Sequence, residues 1–275
     1  MHPICSDRRD HWLDRLNVLR ALLLCVLLAA APARAGQGCG DDALSVDAVR
    51  QSMALAQRSA AALEDSGARV ALIARAGQDL SKYQVEYSHM AIAVRDHPAG
   101  RWRVVHELNE CGSDRSALFV EGLGNFFLTD LYRYRAQIVI PGPALQERLL
   151  QRMTPSAERR LHEPHYNMLS YVYSTRYQNS NQWLLEMLAA ASAAPGQVET
   201  RREAQAWLQG IGYRPRTVEV GALERLGARM FRANVAFDDH PFARRMAGHI
   251  DTVTVDAVLR LVQRLDPQAR VLVLD

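Results

Sequence analysis

Three observations in the 275-residue sequence predict an α+β fold. A β-hairpin with visible turn chemistry spans 87–108, strand-length apolar runs flank it, and helical periodicity dominates from residue 144 onward. The elements follow in chain order. Between 47 and 64, Val49, Met53, Leu55, Ala56, Ala60 and Leu63 recur at helical spacing and stop before the Ser66-Gly67 breaker. Residues 68–74 (ARVALIA) form an apolar run of strand length. The hairpin has one arm at 87–95 (YSHMAIAVR), a turn at 96–100 (DHPAG) and a return arm at 102–108 (WRVVHEL). A connection containing Gly122 and Gly124 leads to a strand at 134–140, closed by Pro141-Gly142-Pro143. Helices are expected at 144–153, 166–173, 180–191 and 201–210, then near 223–230 and 255–265, with a loop at 238–241 and a last strand at 271–274.

The N-terminus has the three-part order of a cleavable secretory signal. A basic segment carries Arg8, Arg9, Arg15 and Arg20, an apolar run covers 21–31, and Ala33-Arg34-Ala35 supplies a small-residue cleavage site. The apolar run is far shorter than the roughly twenty residues a helix needs to cross a bilayer core. A signal peptide at 1–35, a single mature domain at 36–275 and a periplasmic or secreted location are therefore expected. Without the leader, 28 basic residues face 27 acidic ones, and Lys82 is the sole lysine beside 32 arginines over the whole chain. That near balance, with no basic cluster, points to no nucleic-acid partner. Two cysteines, Cys39 and Cys111, remain in a compartment where disulfides persist, and a bridge between them is the simple expectation.

His89 and His106 lie on opposite arms of the hairpin. A turn centred between His97 and Pro98 sets 89 opposite 106; a turn one residue later sets 89 opposite 108 and 106 opposite 91. Both registers leave the imidazoles on one sheet face, among Ala91, Ala93, Val104 and Leu108. Paired there, they form either a base with its orienting partner or a pair of core hydrogen-bonding groups.

The order of a strand histidine, a polar residue on the paired strand and a motif opening a helix resembles the circularly permuted papain-like superfamily, which includes NlpC-type amidases and lecithin:retinol acyltransferases. The resemblance rests on YSHMAI at 87–92, on His106 and on NSNQW at 179–183, and spans about 68–190. It implies a papain-like core, an antiparallel sheet packed on helices, with a helical extension at about 195–275. It also implies His89 as base, His106 as orienter and Ser180 in the place of the nucleophilic cysteine. Serine lacks the accessible thiolate that a helix N-terminus stabilises, so it would need general-base activation and an oxyanion held by backbone amides. Over nearly the whole mature chain, GQDLSKY, YSHMAIAVRD, YSTRYQNSNQW and FDDHP resemble the bacterial domain-of-unknown-function family 2145, which carries no activity with it.

The same motif has a purely architectural reading. Asn179 can cap the helix while Gln182 reaches back to complete a capping box. Tyr166, Tyr171, Tyr173, Tyr177 and Trp183 concentrate nearby, and those not used in the core would suit a sugar or an acyl chain in a cleft; Tyr87, Asn179, Gln182 and Trp183 are taken as its binding residues. Asp238-Asp239-His240 reads as a loop before Pro241, and His162 with His165 lacks a second ligand cluster, so no metal is expected. Phosphate loops and a Gly-x-Ser-x-Gly elbow are absent, and no cofactor is expected. Two functional classes stay open. One is an envelope amidase, peptidase or acyltransferase acting on a peptide, acyl or other cell-envelope substrate; the other is a binding or assembly protein, such as a partner in a secretion or maturation system, that keeps the cleft without chemistry.

Overall fold

The structure, a computed structural model, describes residues 43–275. The leader, the cleavage site and Cys39 lie outside the described residues. Helix α1 (Val46–Asp65) starts at Ser45, whose side chain accepts the Ala48 amide. Strands β1 (Val70–Ala76), β2 (His89–His97), β3 (Gly100–Asn109) and β4 (Ser116–Gly122) follow, with a 3₁₀ turn at Ser81–Tyr83. Helix α2 (Leu123–Phe127), β5 (Arg133–Ile140), α3 (Pro143–Arg152) and α4 (Pro155–Arg160) lead to α5 (Ser180–Ser192) and α6 (Arg201–Gly210). The chain ends with β6 (Arg216–Glu219), α7 (Ala222–Phe231), α8 (Phe242–Met246), β7 (His249–Thr252), α9 (Val255–Leu265) and β8 (Arg270–Leu274).

Six strands form one antiparallel sheet in the order β4-β3-β2-β1-β5-β8, and β6 and β7 pair separately. The expected mixed α and β architecture is present. Period-2 alternation divides the strand side chains between two cores. On one face Ala71, Ile73, Ala91, Ala93, Val104 and Ile138 pack against Leu55 and Leu63 of α1 and Phe126 and Phe127 of α2. On the other, Leu72, Met90, Ile92, Val105 and Val139 pack against α5, with α3, α6 and α9 outside it. Helix α5 is buried on every side from Ser180 to Ala191. Its apolar and alanine-rich sequence suits a helix enclosed by other elements. No helix among the described residues is long and apolar enough to cross a membrane.

Several local expectations need correction. Segment 166–173 is a series of turns, because several of its main-chain groups pair with distant segments in place of helical partners four residues away. The Tyr166 amide donates to Asp114 O and that of Asn167 to Gln178 O, while the Asn167 side chain holds both the O and the N–H of Ala236. The glycines at 122 and 124 do not mark a loop but the junction of β4 and α2. Strands β6 and β7 were not expected at all. At the start of α5, the Asn179 side chain accepts the Gln182 amide as predicted, but the Gln182 side chain bonds Ser170, Glu186 and Val172 O and completes no capping box. A capping box does form one helix later, between Thr200 and Glu203.

Below α5 lies a buried polar cluster. Glu186 receives Arg201, Gln178, Gln182 and Gln205. Every buried charge needs such partners, and this one has them. Glu107 of β3 points to the same side of the sheet and is 0% exposed, with the Ser116 side chain against its carboxyl. Burial pushes its carboxyl up to about 8, and Ser116 and Arg201 only partly offset that shift.

Candidate functional site

The hairpin turn centres between Pro98 and Ala99: His97 pairs with Gly100, Ala93 with Val104 and Ile92 with Val105. This is the later of the two predicted registers, and it sets His89 diagonal to His106 on one face. The rings meet, His89 Nε2 to His106 Nδ1, at 2.8 Å. Neighbouring strands extend the pair into a row. Arg75 of β1 lies beside His89 in register, and Glu121 of β4 pairs with Val104 on the face of His106. A Glu121 carboxylate oxygen stands 3.0 Å from His106 Nε2, to one side of the ideal hydrogen-bond direction. Phe126 of α2 covers the row, with ring centroids 5.9 and 5.5 Å from His89 and His106, and the Arg75 guanidinium lies over the same ring and donates to Phe126 O.

The row runs toward a polar cavity of about 280 Å³ where the ends of β1, β2 and β3 approach the start of α5. Its walls include Arg75, His89, Asn109, Tyr166, Ser180 and Asn234. His89 leaves the sheet on the α2 face while Ser180 opens the helix on the other, and the cavity joins them around the first residue of β2. Asn181 fixes that junction. Its side chain accepts the Met90 amide at 3.0 Å and donates to Ser88 O at 3.2 Å, bracketing His89. Ser180 is buried, and its hydroxyl and amide meet the Tyr166 phenol, which burial pushes up to about 12.

Electrostatics keep the imidazoles neutral. Burial drives His89 well below the ordinary histidine value, and the Arg75 charge and His106 add to the shift. Burial also lowers His106, although Glu121 opposes it. Burial brings the Arg75 guanidinium down to about 10, still cationic at neutral pH. In two neutral rings a chain of tautomers follows from the carboxylate. If His106 presents Nε2–H to Glu121, its Nδ1 is an acceptor; His89 then donates from Nε2 and keeps a basic lone pair on Nδ1.

The predicted residues therefore divide. His89, Ser180 and Asn179 line one cavity, and His106 stands directly behind His89. Tyr87 lines a different, apolar cavity. Gln182 and Trp183 are fully buried in the core, where Gln182 serves the Glu186 cluster and Trp183 Nε1 donates to Glu158 O. Arg75, Glu121 and Asn234 escaped sequence reasoning, since each reaches the site through sheet order or a distant loop; Tyr166 was noted only as one of the aromatics near the helix, and Asn181 only as part of the motif that opens it. The Asx-rich run 179–181 was the one local signal available.

The remaining polar motifs are occupied structurally. His162 Nε2 meets Ser116 Oγ at 3.0 Å, His165 pairs with Glu163 at 2.8 Å, and buried His240 pairs with Asp239 at 3.0 Å. Asp239 also accepts the Tyr171 amide. Among the described residues no group of three or more His, Cys, Asp or Glu could hold a metal ion. Cys111 lies in a turn, and its expected bridge reaches to Cys39, outside the described residues.

No curated protein and no solved structure matches the chain. Residues 62–262 match the model of a family described as "uncharacterized protein conserved in bacteria (DUF2145)", a span that includes every wall residue of the polar cavity named above. The chain belongs to this bacterial family.

Proposed function

We propose that the protein is an exported cell-envelope hydrolase or acyltransferase that uses Ser180 as nucleophile, His89 as base and His106 with Glu121 as the orienting pair. The observation that carries this reading is the Glu121–His106–His89 row, which directs a neutral imidazole into the cavity that Ser180 also lines. Ser180 Oγ would attack an amide or ester carbonyl while its proton passes to His89 Nδ1. The carbonyl π electrons move onto oxygen, where amides at the start of α5 stabilise them. As the carbonyl re-forms, the C–N or C–O bond breaks, and the leaving group takes the proton from His89. Water or another acceptor then releases the acyl group by the same steps. A buried central helix that opens at Asn179-Ser180 against an antiparallel sheet supports the circularly permuted papain-like reading. The signal-peptide pattern supports export, and export favours a Cys39–Cys111 bridge.

The test is labelling by a fluorophosphonate. Folded protein should label at one site, and Ser180→Ala or His89→Ala should abolish it; no labelling of the wild type would overturn the catalytic reading. One observation favours a binding protein instead: the Tyr166 phenol lies against both the hydroxyl and the amide of Ser180. Tyr166→Phe separates the two readings. Relieving that contact should raise the labelling rate of an enzyme several-fold, and a folded variant that remains unlabelled would favour the binder.

A further inference from the structure

Beside the polar cavity lies a second one of about 740 Å³, within the size range of small-molecule sites. Its walls are largely apolar: Val85, Leu169, Val218, Val220, Val235 and Phe237 contribute to it. Three segments build it: the loop 78–88 before β2, the turn around 168–169, and the small β6–β7 sheet with α7. Glu224 of α7 is tied across to that loop by Lys82 Nζ and by the Tyr83 hydroxyl, each at 2.8 Å. The two cavities have Gln78, Ser88, Met168 and Asn181 in common as wall residues. A polar chamber with a serine and an imidazole is thus contiguous with a larger apolar chamber.

We propose that the two chambers are one binding site for an acyl amphiphile, whose hydrocarbon chain fills the apolar cavity and whose carbonyl head lies in the polar cavity beside Ser180. The placement of the carbonyl rests on the catalytic reading above; the chain site does not. A peptide or sugar could pair with Asp79, Glu224 or Arg232 of the wall but would leave the polar groups that face the valines and Phe237 unpaired, and burying such groups without partners is costly. A flexible chain has no such groups, and each methylene moved from water into the cavity strengthens binding.

The probe is a dansyl-labelled undecanoic acid, with unlabelled straight-chain alkanoates of increasing length as competitors against the full mature protein. Affinity should rise about fourfold per added methylene, equivalent to ~0.8 kcal/mol, until the cavity is filled. Ala228→Trp, which places an indole in the apolar chamber, should weaken binding by tenfold or more, while Arg50→Ala on the exposed face of α1 should bind as the wild type does. Absence of alkanoate binding by the wild type, or affinity independent of chain length, would overturn the proposal; so would undiminished binding by an Ala228→Trp protein of unchanged circular dichroism and melting temperature.

Fluorophosphonate labelling without alkanoate binding would sink this inference alone. Chain-length-dependent binding without labelling would support the acyl site and sink the catalytic reading. Re-isolation after incubation with phosphatidylglycerol and phosphatidylethanolamine vesicles distinguishes the sources. Lipid co-purifying with the wild type but not with Ala228→Trp would assign the ligand to the membrane, and alkanoate binding alone would assign it to a free acyl compound.

Discussion

Glu107 offers a quantitative test of how this sheet handles charge. It lies on the α5 side of β3, fully buried, and burial pushes its carboxyl from the ordinary 4.5 up to about 8 against the weaker opposing effects of Ser116 and Arg201. Between those two values the native protein holds a proton that the unfolded chain releases. Stability is therefore fully present below pH 4.5 and is lost as pH rises toward 8, by up to ~1.4 kcal/mol per pH unit. From pH 4.5 to 7 the loss amounts to about 3 kcal/mol. Glu107→Gln keeps the shape and a donor but removes the titration. The variant should thus gain about 3 kcal/mol relative to the wild type across that window. Urea unfolding of both proteins at pH 4.5, 5.5, 6.5 and 7 measures it. The buried histidines titrate with the opposite sign but do so in both proteins, so they cancel from the difference. A stability difference that stays constant with pH would refute the reasoning, because it would mean that Glu107 ionises as freely in the native state as in the unfolded chain.

Other outcomes follow from the same geometry. Arg201→Met leaves Glu186 buried without its cation and should cost about 3–5 kcal/mol in denaturant unfolding, whereas a loss below ~1 kcal/mol would mean that the glutamines alone satisfy the carboxylate. Because burial and Arg75 depress His89, the neutral base persists into acid: the fluorophosphonate labelling rate should stay level down to pH 6.5 and fall only below it, and a half-maximal rate above pH 6.5 would exclude His89 as that base. Glu121→Gln should slow labelling at least tenfold with little change in melting temperature, since it removes the carboxylate that sets the His106 tautomer; an unchanged rate would take Glu121 out of the row. Mature protein denatured without reductant should show no free thiol if Cys39 and Cys111 pair, and two reactive thiols would dismiss the bridge.

Much of the architecture is legible in local sequence. Helix α9 matches its expected limits of 255–265, as α6 does at 201–210, because apolar residues at helical spacing continue up to clear end signals. Strands β2 and β3 were visible for a similar reason: turn residues at 96–100 separate two runs rich in β-branched and apolar side chains. Edge strand β4 was hidden, since Phe119 and Val120 are both substantially exposed and leave no simple inside–outside alternation. The helix expected at 166–173 failed where the Asn167 side chain holds the main chain of Ala236 and the Met168 amide donates to Asn234 O, both more than sixty positions away, a competition that local periodicity does not register.

The sequence by itself determined that His89 and His106 share one face of a hairpin and that Asn179 caps a helix beginning at Ser180. Both are consequences of backbone period and local hydrogen bonding, which act over a few residues. Only the tertiary structure decided the rest of the site. Arg75 and Glu121 join the histidines because four strands align in a particular order. Tyr166 reaches the cavity because its loop folds back to pair with Asp114, and Asn181 of α5 bonds the main chain of Ser88 and Met90 because the helix start packs on β2. The apolar chamber exists because the β6–β7 sheet and α7 stand beside the 78–88 loop, a proximity set by chain packing over more than a hundred residues of separation.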